Sequence, residues 1–184
     1  MIYGERIRFR SPEREDLPTF TRWINDPEVR AGLNLYLPMS LAAEEDWFEN
    51  MLKRSPDEQP LGIEIQDGKD WKIIGNCGFF NIEAINRSVE VGIMIGEKSE
   101  WNKGYGTEAM QLLLKHGFET LNLNRIFLRV YATNPRAIRA YEKSGFVVEG
   151  HQREAQYLDG KYVDAIMMSV LRLEWREKNH LDSE

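Results

Sequence analysis

A glycine-rich turn carries the clearest chemical signal in this sequence. The segment from Trp101 to Ala109 reads WNKGYGTEA and lies between a predicted strand and a predicted helix. Glycine lets a backbone approach a ligand closely, and the free N–H groups and the dipole at the start of a helix attract an anion. Lys103 adds a positive charge next to Gly104 and Gly106. The pattern therefore favours an anion-binding turn, with an ordinary strand-to-helix connection as the alternative.

Two better-known phosphate motifs fit this turn poorly. No Gly-x4-Gly-Lys string followed by Ser or Thr occurs, which excludes a P-loop nucleotide-binding protein. Gly104, Gly106 and Ala109 match the dinucleotide fingerprint G-x-G-x-x-G/A, but that motif follows the first strand and has an acidic residue about 20 positions later. Here the turn lies in mid-chain and the next predicted strand ends in RVYA. A nicotinamide-dependent redox enzyme is therefore the weaker interpretation.

A second group of residues, from Asn134 to Phe146, combines helix-boundary signals with a tyrosine. Asn134 predicts an N-cap, Pro135 the first helical position and Gly145 the helix end. Tyr141 falls on the apolar face of that helix, where it is either a core aromatic or a proton donor with an ordinary pKa of about 10. The segment therefore offers a candidate general acid.

Acidic residues supply the remaining candidates. Glu90 lies on a predicted strand and Glu83 lies just before it, so either is a candidate base or a solvated strand residue. Four acids crowd the start of a predicted helix, where they favour the helix dipole and would also attract a cationic amine: Glu44, Glu45, Asp46 and Glu49. Cys77 is predicted to be a small buried residue, and the three histidines lack metal-ligand spacing, so no metal is expected.

Hydrophobic periodicity gives the elements that must position these residues. Alternating apolar residues predict strands over 5–10, 61–65, 71–80, 89–95, 125–132, 146–149 and 163–171. Helical spacing predicts helices over 17–25, 41–52, 106–121 and 135–144, with a loop over 29–38. The order βαα-βββ-α-β-α-ββ predicts an α/β fold in which helices pack on a sheet.

Size and composition limit the class of protein. The chain has 184 residues, a net charge of −6 and 42% hydrophobic residues, which predicts one domain over 1–173 and a polar tail over 174–184 that frays. The acidic balance argues against a nucleic-acid partner. No apolar run is long enough to span a membrane, and the first residues do not form a signal peptide. With one cysteine, the reducing cytoplasm is the expected location.

Both motifs resemble those of one enzyme family. Residues 102–109, NKGYGTEA, resemble the acetyl-CoA pyrophosphate loop of the GNAT N-acetyltransferases, whose pattern is Gln/Arg-x-x-Gly-x-Gly/Ala. Trp101 stands where that family usually has Gln or Arg. Residues 134–146 resemble the family segment N-x-x-A-x-x-x-Y-x-x-x-G-F, and RxRxP at 8–12, VEVG at 89–92 and DGKYxD at 159–164 are similar to the branch that acetylates ribosomal-protein N-termini. Spermidine acetyltransferases are near relatives of that branch.

The resemblance implies a fold, a cofactor and a set of roles. It implies a mixed, mostly antiparallel sheet that is splayed where its fourth and fifth strands part, with acetyl-CoA in the cleft. It implies that the acyl donor is held by Ile93, Met94, Ile95, Asn102, Lys103, Gly104, Tyr105, Gly106, Thr107, Asn134 and Arg139. Backbone N–H near Ile93 or Met94 would stabilise the oxyanion, Tyr141 would protonate the departing thiolate, and Glu90 is the first candidate base.

The resemblance does not decide the acceptor. We expect direct transfer in a ternary complex to a primary amine, with a protein N-terminus first, then a polyamine such as spermidine or another small amine. An α-amine with a pKa near 7.7–8.0 is roughly 10% neutral at pH 7, whereas an alkyl amine near 10.4 is only about 0.04% neutral and needs far more help from a base. A homodimer is also expected from the family. The alternative function is a non-catalytic sensor that binds acyl-CoA on the same fold.

Overall fold

The computed structural model describes residues 1–33 and 35–180, and its element order follows the predicted pattern. The strands are β1 (Ile2–Tyr3), β2 (Ile7–Arg10), β3 (Leu61–Asp67), β4 (Asp70–Glu83), β5 (Ser88–Ile95), β6 (Arg125–Tyr131), β7 (Val147–Leu158) and β8 (Lys161–Leu171). The helices are α1 (Leu17–Asn25), α2 (Pro27–Arg30), α3 (Leu41–Met51), α4 (Tyr105–Lys115), α5 (Pro135–Ser144) and α6 (Arg172–His180). The two-residue β1, the single turn of α2 and the C-terminal helix α6 were not predicted.

The eight strands form one mixed sheet, as the family resemblance implies. Their order is β1-β2-β3-β4-β5-β6-β8-β7. β1 to β4 pair antiparallel in sequence order, and β8 pairs antiparallel with both β6 and β7. β5 and β6 pair in parallel over three positions, from Ser88↔Arg125 to Glu90↔Phe127. The mixed, mostly antiparallel sheet flanked by helices is confirmed.

The chain forms two compact units, which we describe separately. The first unit contains residues 1–79 and 92–112, and the second contains 80–91 and the chain from 113 onward. In the first unit, α1 buries Leu17, Phe20 and Trp23 at helical spacing. They pack with Phe48 and Met51 of α3 in one apolar cluster that also contains Met94 of β5. Burying large side chains on one face of each helix ties both helices to β5, which the candidate site uses.

A buried ionic network at the start of the first unit explains the RxRxP motif. Glu64 is 4% exposed and accepts from Arg8 Nε at 2.6 Å and Arg10 Nε at 2.7 Å. Arg10 also binds both carboxylate oxygens of Asp16, at 2.6 and 2.8 Å. Each buried charge has a partner, which is the condition for keeping it inside. The motif therefore joins β2, β3 and the turn before α1.

In the second unit, α5 and α6 accompany strands β6, β7 and β8. Phe118, in the π-helical turn His116–Thr120 that continues α4, is 1% exposed and lies 5.5 Å from the Trp175 ring centroid. The sequence analysis expected fraying from Glu174, but residues 172–180 are helical because Trp175 supplies an apolar anchor that fits this ring contact. Residues 181–184 lie outside the described part of the chain.

β7 is an edge strand with an irregular ladder. Its register against β8 shifts between Val148 and Gly150 and again between Gln152 and Gln156. At the second irregularity Glu154 adopts a φ of 52° and its amide donates to Asp164 Oδ1 at 2.9 Å. The carboxylate thus satisfies an amide that the bulge removes from the ladder. Within the described residues, no helix has the length and apolarity needed to cross a membrane.

Candidate active site

The glycine-rich turn forms a concave backbone surface at the start of α4. Asn102 and Gly104 have φ values of 62° and 88°, in the left-handed region that Asn tolerates and Gly adopts without strain. The helix begins at Tyr105, and the Gly104 carbonyl accepts from the Glu108 amide at 3.0 Å. The amides of Tyr105 and Gly106 therefore lie in the first turn, where a helix has no internal acceptor for them. This arrangement suits an anion, as the sequence predicts.

Lys103 contributes less free charge to this turn than its position suggests. Its Nζ lies 3.0 Å from Glu100 Oε2, and the side chain is 51% exposed. Hydrogen bonding to Lys103 lowers the pKa of Glu100, which keeps this carboxylate ionised. A phosphate would have to compete with Glu100 for the ammonium group.

Arg6 is a residue that the sequence analysis missed. Its backbone amide and its Nε donate to the two oxygens of Glu108, at 2.7 and 2.8 Å. Its Nη1 donates to the Lys103 carbonyl at 3.1 Å, and its guanidinium lies 4.8 Å from the Tyr105 ring centroid. The available signal was Glu108 itself, because an acid in the first turn of a helix that binds an anion repels that anion unless a cation lies nearby.

Trp101 holds the turn against the end of β5. Its indole Nε1 donates to the Ile95 carbonyl at 2.7 Å. Where the resemblance would place Gln or Arg, this chain thus has a side chain that binds the strand. One backbone acceptor of β5 is consequently already used by the protein.

Strand geometry decides which backbone groups of β5 face a ligand. The Met94 carbonyl points towards β4, because a Cβ built on Gly75 would lie 2.1 Å from it. The Gly96 amide also faces β4, donating to the Ile74 carbonyl at 2.9 Å. Since backbone groups alternate along a strand, those of Ile93 and Ile95 face the opposite edge. Gly75 is required because only a residue without Cβ permits this close approach.

The cleft beside the end of β5 is polar, and an ion pair lies in its wall. It has a volume of about 300 Å³ and is lined by Arg22, Trp23, Asp26, Gly96, Glu97 and Lys98. Lys98 Nζ lies 2.7 Å from Asp26 and 2.8 Å from Glu28. Hydrogen bonding to Lys98 lowers the pKa of Asp26, so the pair stays ionised. Because Lys98 and Asp26 already neutralise each other, we assign no ligand to this cleft.

In the second unit, Asn134 performs its predicted capping role. Its Oδ1 accepts from the Ala137 amide at 3.1 Å, and α5 ends at Gly145, which has a φ of 102°. The helix thereby fixes Tyr141, which is 8% exposed with its ring centroid 5.9 Å from that of Phe146. Burial raises the pKa of Tyr141 to about 12. Arg139 lies on the exposed face of the same helix.

Glu90 is engaged by two neighbours. Arg129 Nε donates to its Oε1 at 2.9 Å, and Asn81 Nδ2 donates to its Oε2 at 3.3 Å. Glu83 accepts from Asn86 at 2.7 Å. A carboxylate held by a guanidinium must give up part of that interaction to accept a proton. As a base, Glu90 would therefore act most easily through a water molecule.

The acids of α3 occupy contrasting environments. Ser40 caps the helix by accepting from the Ala43 amide at 3.1 Å, as predicted. Glu44 is only 3% exposed, and burial raises its pKa. Glu49 pairs with Arg14, whereas Glu45 and Asp46 are exposed. The cluster is therefore one buried carboxyl group within an otherwise solvated acidic surface.

Cys77 and the histidines offer little chemistry. Cys77 is 2% exposed, and burial raises the pKa of its thiol, so the nucleophilic thiolate is suppressed. Within residues 1–33 and 35–180, no group of three His, Cys, Asp or Glu side chains is placed to hold a metal ion.

The structure collects Ile93–Ile95 and Asn102–Thr107 in the first unit, whereas the other predicted site residues lie in the second: Glu90, Asn134, Arg139 and Tyr141.

Comparison with known proteins assigns the chain and its fold to a class. Residues 6–147 match the acetyltransferase (GNAT) domain family. The sequence is 34% identical over 177 residues to the spermidine N(1)-acetyltransferase of Vibrio cholerae serotype O1, covering 96% of this chain and 99% of the relative. It is 31% identical over 174 residues to the uncharacterized N-acetyltransferase p20 of Bacillus licheniformis, covering 95% and 97%. The chain belongs to the GNAT acetyltransferase family.

Two further similar proteins are also named as N-acetyltransferases. The putative ribosomal N-acetyltransferase YdaF of Bacillus subtilis (strain 168) is 28% identical over 174 residues, covering 94% of each chain. A crystal structure of spermidine N-acetyltransferase from Vibrio cholerae in complex with CoA and spermine superimposes with a TM-score of 0.84 at 27% identity, covering 92% of this chain and 98% of that one. The resemblance read from the two motifs is confirmed, and this protein is an acetyl-CoA-dependent N-acetyltransferase.

Proposed function

We propose that the protein transfers an acetyl group from acetyl-CoA directly to a primary amine while both substrates are bound. The left-handed turn at Asn102 and Gly104, leading directly into the first turn of α4, is the observation that carries this proposal. It is a backbone anion site at the position where the family has its acyl-donor loop. It explains how a chain with a net charge of −6 binds an anionic cofactor, because local N–H groups rather than net charge do the binding.

The donor-binding roles follow from backbone geometry. In this proposal the amides of Tyr105, Gly106 and Thr107 bind the pyrophosphate, with Asn102 and Gly104 shaping the turn and Lys103 adding charge. The pantetheine arm runs along the β5 edge presented by Ile93 and Ile95, with Met94 between them. Because the Ile95 carbonyl already accepts from Trp101, the Ile93 carbonyl is the acceptor that this edge offers to the pantetheine arm. Asn134 and Arg139 are the α5 candidates for contact with the donor.

The chemistry needs three groups around the thioester. The amine nitrogen attacks the thioester carbonyl carbon, the C–S bond breaks, the thiolate takes a proton and the amine loses one. Strand alternation favours the Ile93 amide over that of Met94 as the oxyanion donor, because the Met94 backbone faces β4. Tyr141 is the proposed donor of a hydrogen bond or proton to the sulfur. Glu90 is the proposed acceptor of the amine proton through water.

Direct transfer is favoured over an acyl-enzyme. A covalent route would require an activated nucleophile, and Cys77 is buried with a raised thiol pKa. No proton acceptor is hydrogen-bonded to Cys77 among the described contacts of residues 1–33 and 35–180. A ternary complex needs no such group.

The acceptor that we favour is a protein N-terminal α-amine, followed by a polyamine such as spermidine or another small amine. The engagement of Glu90 by Arg129 supports the first choice, since an α-amine is already partly neutral near pH 7. The acidic face of α3 supports the second choice, since acids attract a polycation. Relatives named for ribosomal and for spermidine acetylation both resemble this chain.

An acceptor screen tests the proposal. The protein is incubated with acetyl-CoA and a panel of N-terminal peptides and polyamines, free thiol is followed with time, and products are identified by mass spectrometry. Acetylated amine with matching thiol release is expected. Binding of CoA without thiol release for any acceptor would favour the acyl-CoA sensor, and binding of NAD(P) without CoA would favour a redox enzyme.

The pH profile separates the two acceptor classes. For an α-amine, kcat/KM should level off near pH 8, whereas for an alkyl amine it should keep rising about tenfold per pH unit towards pH 10. We also expect a cytoplasmic protein, because a single cysteine cannot form an internal disulfide. A homodimer is expected as well, and light scattering of the purified protein measures it.

A further inference from the structure

We propose that Arg6 is a positioning residue for the acyl donor: it sets the anion-binding turn in its ligand-ready shape and cancels the charge of Glu108. This inference rests on the proposed function, because it assigns the same turn to the pyrophosphate of acetyl-CoA. Arg6 lies in the connection between β1 and β2, 102 residues away in sequence from Glu108. The turn therefore depends on a segment outside its own motif.

The first part of the argument is the orientation of one peptide group. Arg6 Nη1 donates to the Lys103 carbonyl at 3.1 Å, so this carbonyl points towards the guanidinium. Because the peptide bond is planar and trans, the Gly104 amide must point the opposite way, away from Arg6. Arg6 Nη2 also lies 3.3 Å from the position of a Cβ on Gly104, which closes that side of the turn. Arg6 thus selects the direction in which the turn presents its N–H group.

The second part is electrostatic. Glu108 lies in the first turn of α4, where its charge favours the helix dipole but would repel a pyrophosphate bound to the same amides. Arg6 holds both Glu108 oxygens, at 2.7 and 2.8 Å, through its backbone amide and its Nε. The Arg6 side chain is 51% exposed and that of Glu108 is 15% exposed, so the cation covers the carboxylate on its solvent side. The ion pair therefore keeps Glu108 at the start of the helix, while Arg6 offsets the repulsion that Glu108 would exert on an anionic ligand.

The test uses the full chain and compares two donors. The variants are Arg6→Ala, Glu108→Gln and the double variant, each measured for CoA affinity by calorimetry and for kcat/KM with acetyl-CoA and with S-acetylpantetheine, which lacks the pyrophosphate. Arg6→Ala should weaken CoA binding roughly five- to thirtyfold, the effect of one unbalanced charge at a helix start. It should lower kcat/KM for acetyl-CoA by a similar factor and leave S-acetylpantetheine nearly unaffected.

The double variant and a matched control decide the mechanism. Arg6→Ala combined with Glu108→Gln should bind CoA more tightly than Arg6→Ala alone, because the uncompensated carboxylate is gone. Arg125→Ala is the matched control, because Arg125 resembles Arg6 in binding a carboxylate, that of Glu149, and in lying over an aromatic ring. This variant should leave the CoA affinity unchanged. If Arg6→Ala does not fold, Arg6→Lys keeps the charge but cannot bridge Glu108 and the Lys103 carbonyl, and a loss of CoA affinity is still expected.

Three outcomes overturn the inference. They are unchanged CoA affinity in Arg6→Ala and Arg6→Lys, an equal loss with both donors, or a double variant that binds no better than Arg6→Ala. None of these affects the proposed function. If the unaltered protein itself does not bind CoA, the proposed function fails and the inference fails with it.

Discussion

Replacing Tyr141 by Phe tests the proposed protonation step most directly. Burial raises the pKa of Tyr141 to about 12, whereas a thiol has an ordinary pKa of about 8.5. Moving a proton completely from this phenol to a free thiolate is therefore uphill by about 3.5 pKa units, or about 5 kcal/mol. The hydroxyl can instead donate a hydrogen bond to the developing thiolate, and hydrogen bonds to charged groups contribute about 1.5–3 kcal/mol.

The expected loss of kcat follows from the strength of that hydrogen bond. Tyr141→Phe should lower kcat roughly ten- to 150-fold, because only the hydrogen bond is removed. The ring contact with Phe146 needs no hydroxyl, so thermal stability and the affinity for CoA should change little. Steady-state kinetics by thiol release give kcat and KM, and calorimetry gives the CoA affinity.

Two results would refute this reasoning. Unchanged turnover would show that the Tyr141 hydroxyl plays no part in the departure of the sulfur. A loss beyond about a thousandfold with CoA affinity intact would mean that the phenol delivers a whole proton, contrary to the uphill transfer that its burial imposes. Tyr131→Phe, which removes a phenol from a strand of the same unit, is the control for a general loss of folding.

Three further substitutions test the donor turn and the buried acid. Glu44→Gln should raise Tm at pH 7 and lose this gain below about pH 4, because burial raises the Glu44 pKa above its ordinary 4.5, so the folded state loses stability as pH rises through that range. Gly104→Ala should cost about 1–2 kcal/mol of stability, since φ is 88° there, and weaken CoA binding in calorimetry. Trp101→Phe should cost about 1 kcal/mol in chemical denaturation and raise KM for acetyl-CoA, since the Ile95 carbonyl loses its donor.

For each of these three predictions, one outcome would contradict the reasoning. A Tm difference for Glu44→Gln that stays constant from pH 4 to 8 would mean that the carboxyl is not desolvated. Gly160→Ala, at a φ of 81° in open space, controls for backbone strain: it should lose similar stability but keep CoA affinity. An equal loss of CoA affinity in both glycine variants would show that the turn plays no specific part in donor binding. An unaltered KM for acetyl-CoA in Trp101→Phe would show the same for the hydrogen bond from Trp101 to β5.

The sequence predicts the parts of this site that depend on local signals. The α5 boundaries follow from Asn134, Pro135 and Gly145, each of which acts within its own turn of chain, and the structure has all three in place. The same holds for Ser40 at α3 and for the alternating strand of β6. Periods and caps are written in consecutive residues, so they can be recognised without knowing the fold.

The parts that escape prediction depend on distant residues. The contact between Arg6 and Glu108 spans 102 positions, and that between Arg129 and Glu90 spans 39. No periodic pattern links such pairs, because they meet only after the strands have assembled. α6 was missed for the same reason, since its polar sequence hides one anchor, Trp175, whose ring partner is Phe118. α2 is only one turn long and offers too few residues for a helical period.

The irregular edge strand β7 has a consequence for association between molecules. A flat strand at the edge of a sheet is a template on which a second molecule can extend the ladder, and sheets that grow this way form fibres. Here the register of β7 against β8 shifts at two places, and the Glu154 amide already donates to Asp164. An incoming strand would lose its alignment after a few residues and meet the charge of the exposed Arg153. The bulge therefore hinders the addition of another strand at the β7 edge. Substitution of Asp164 by Ala should make the protein more prone to aggregate.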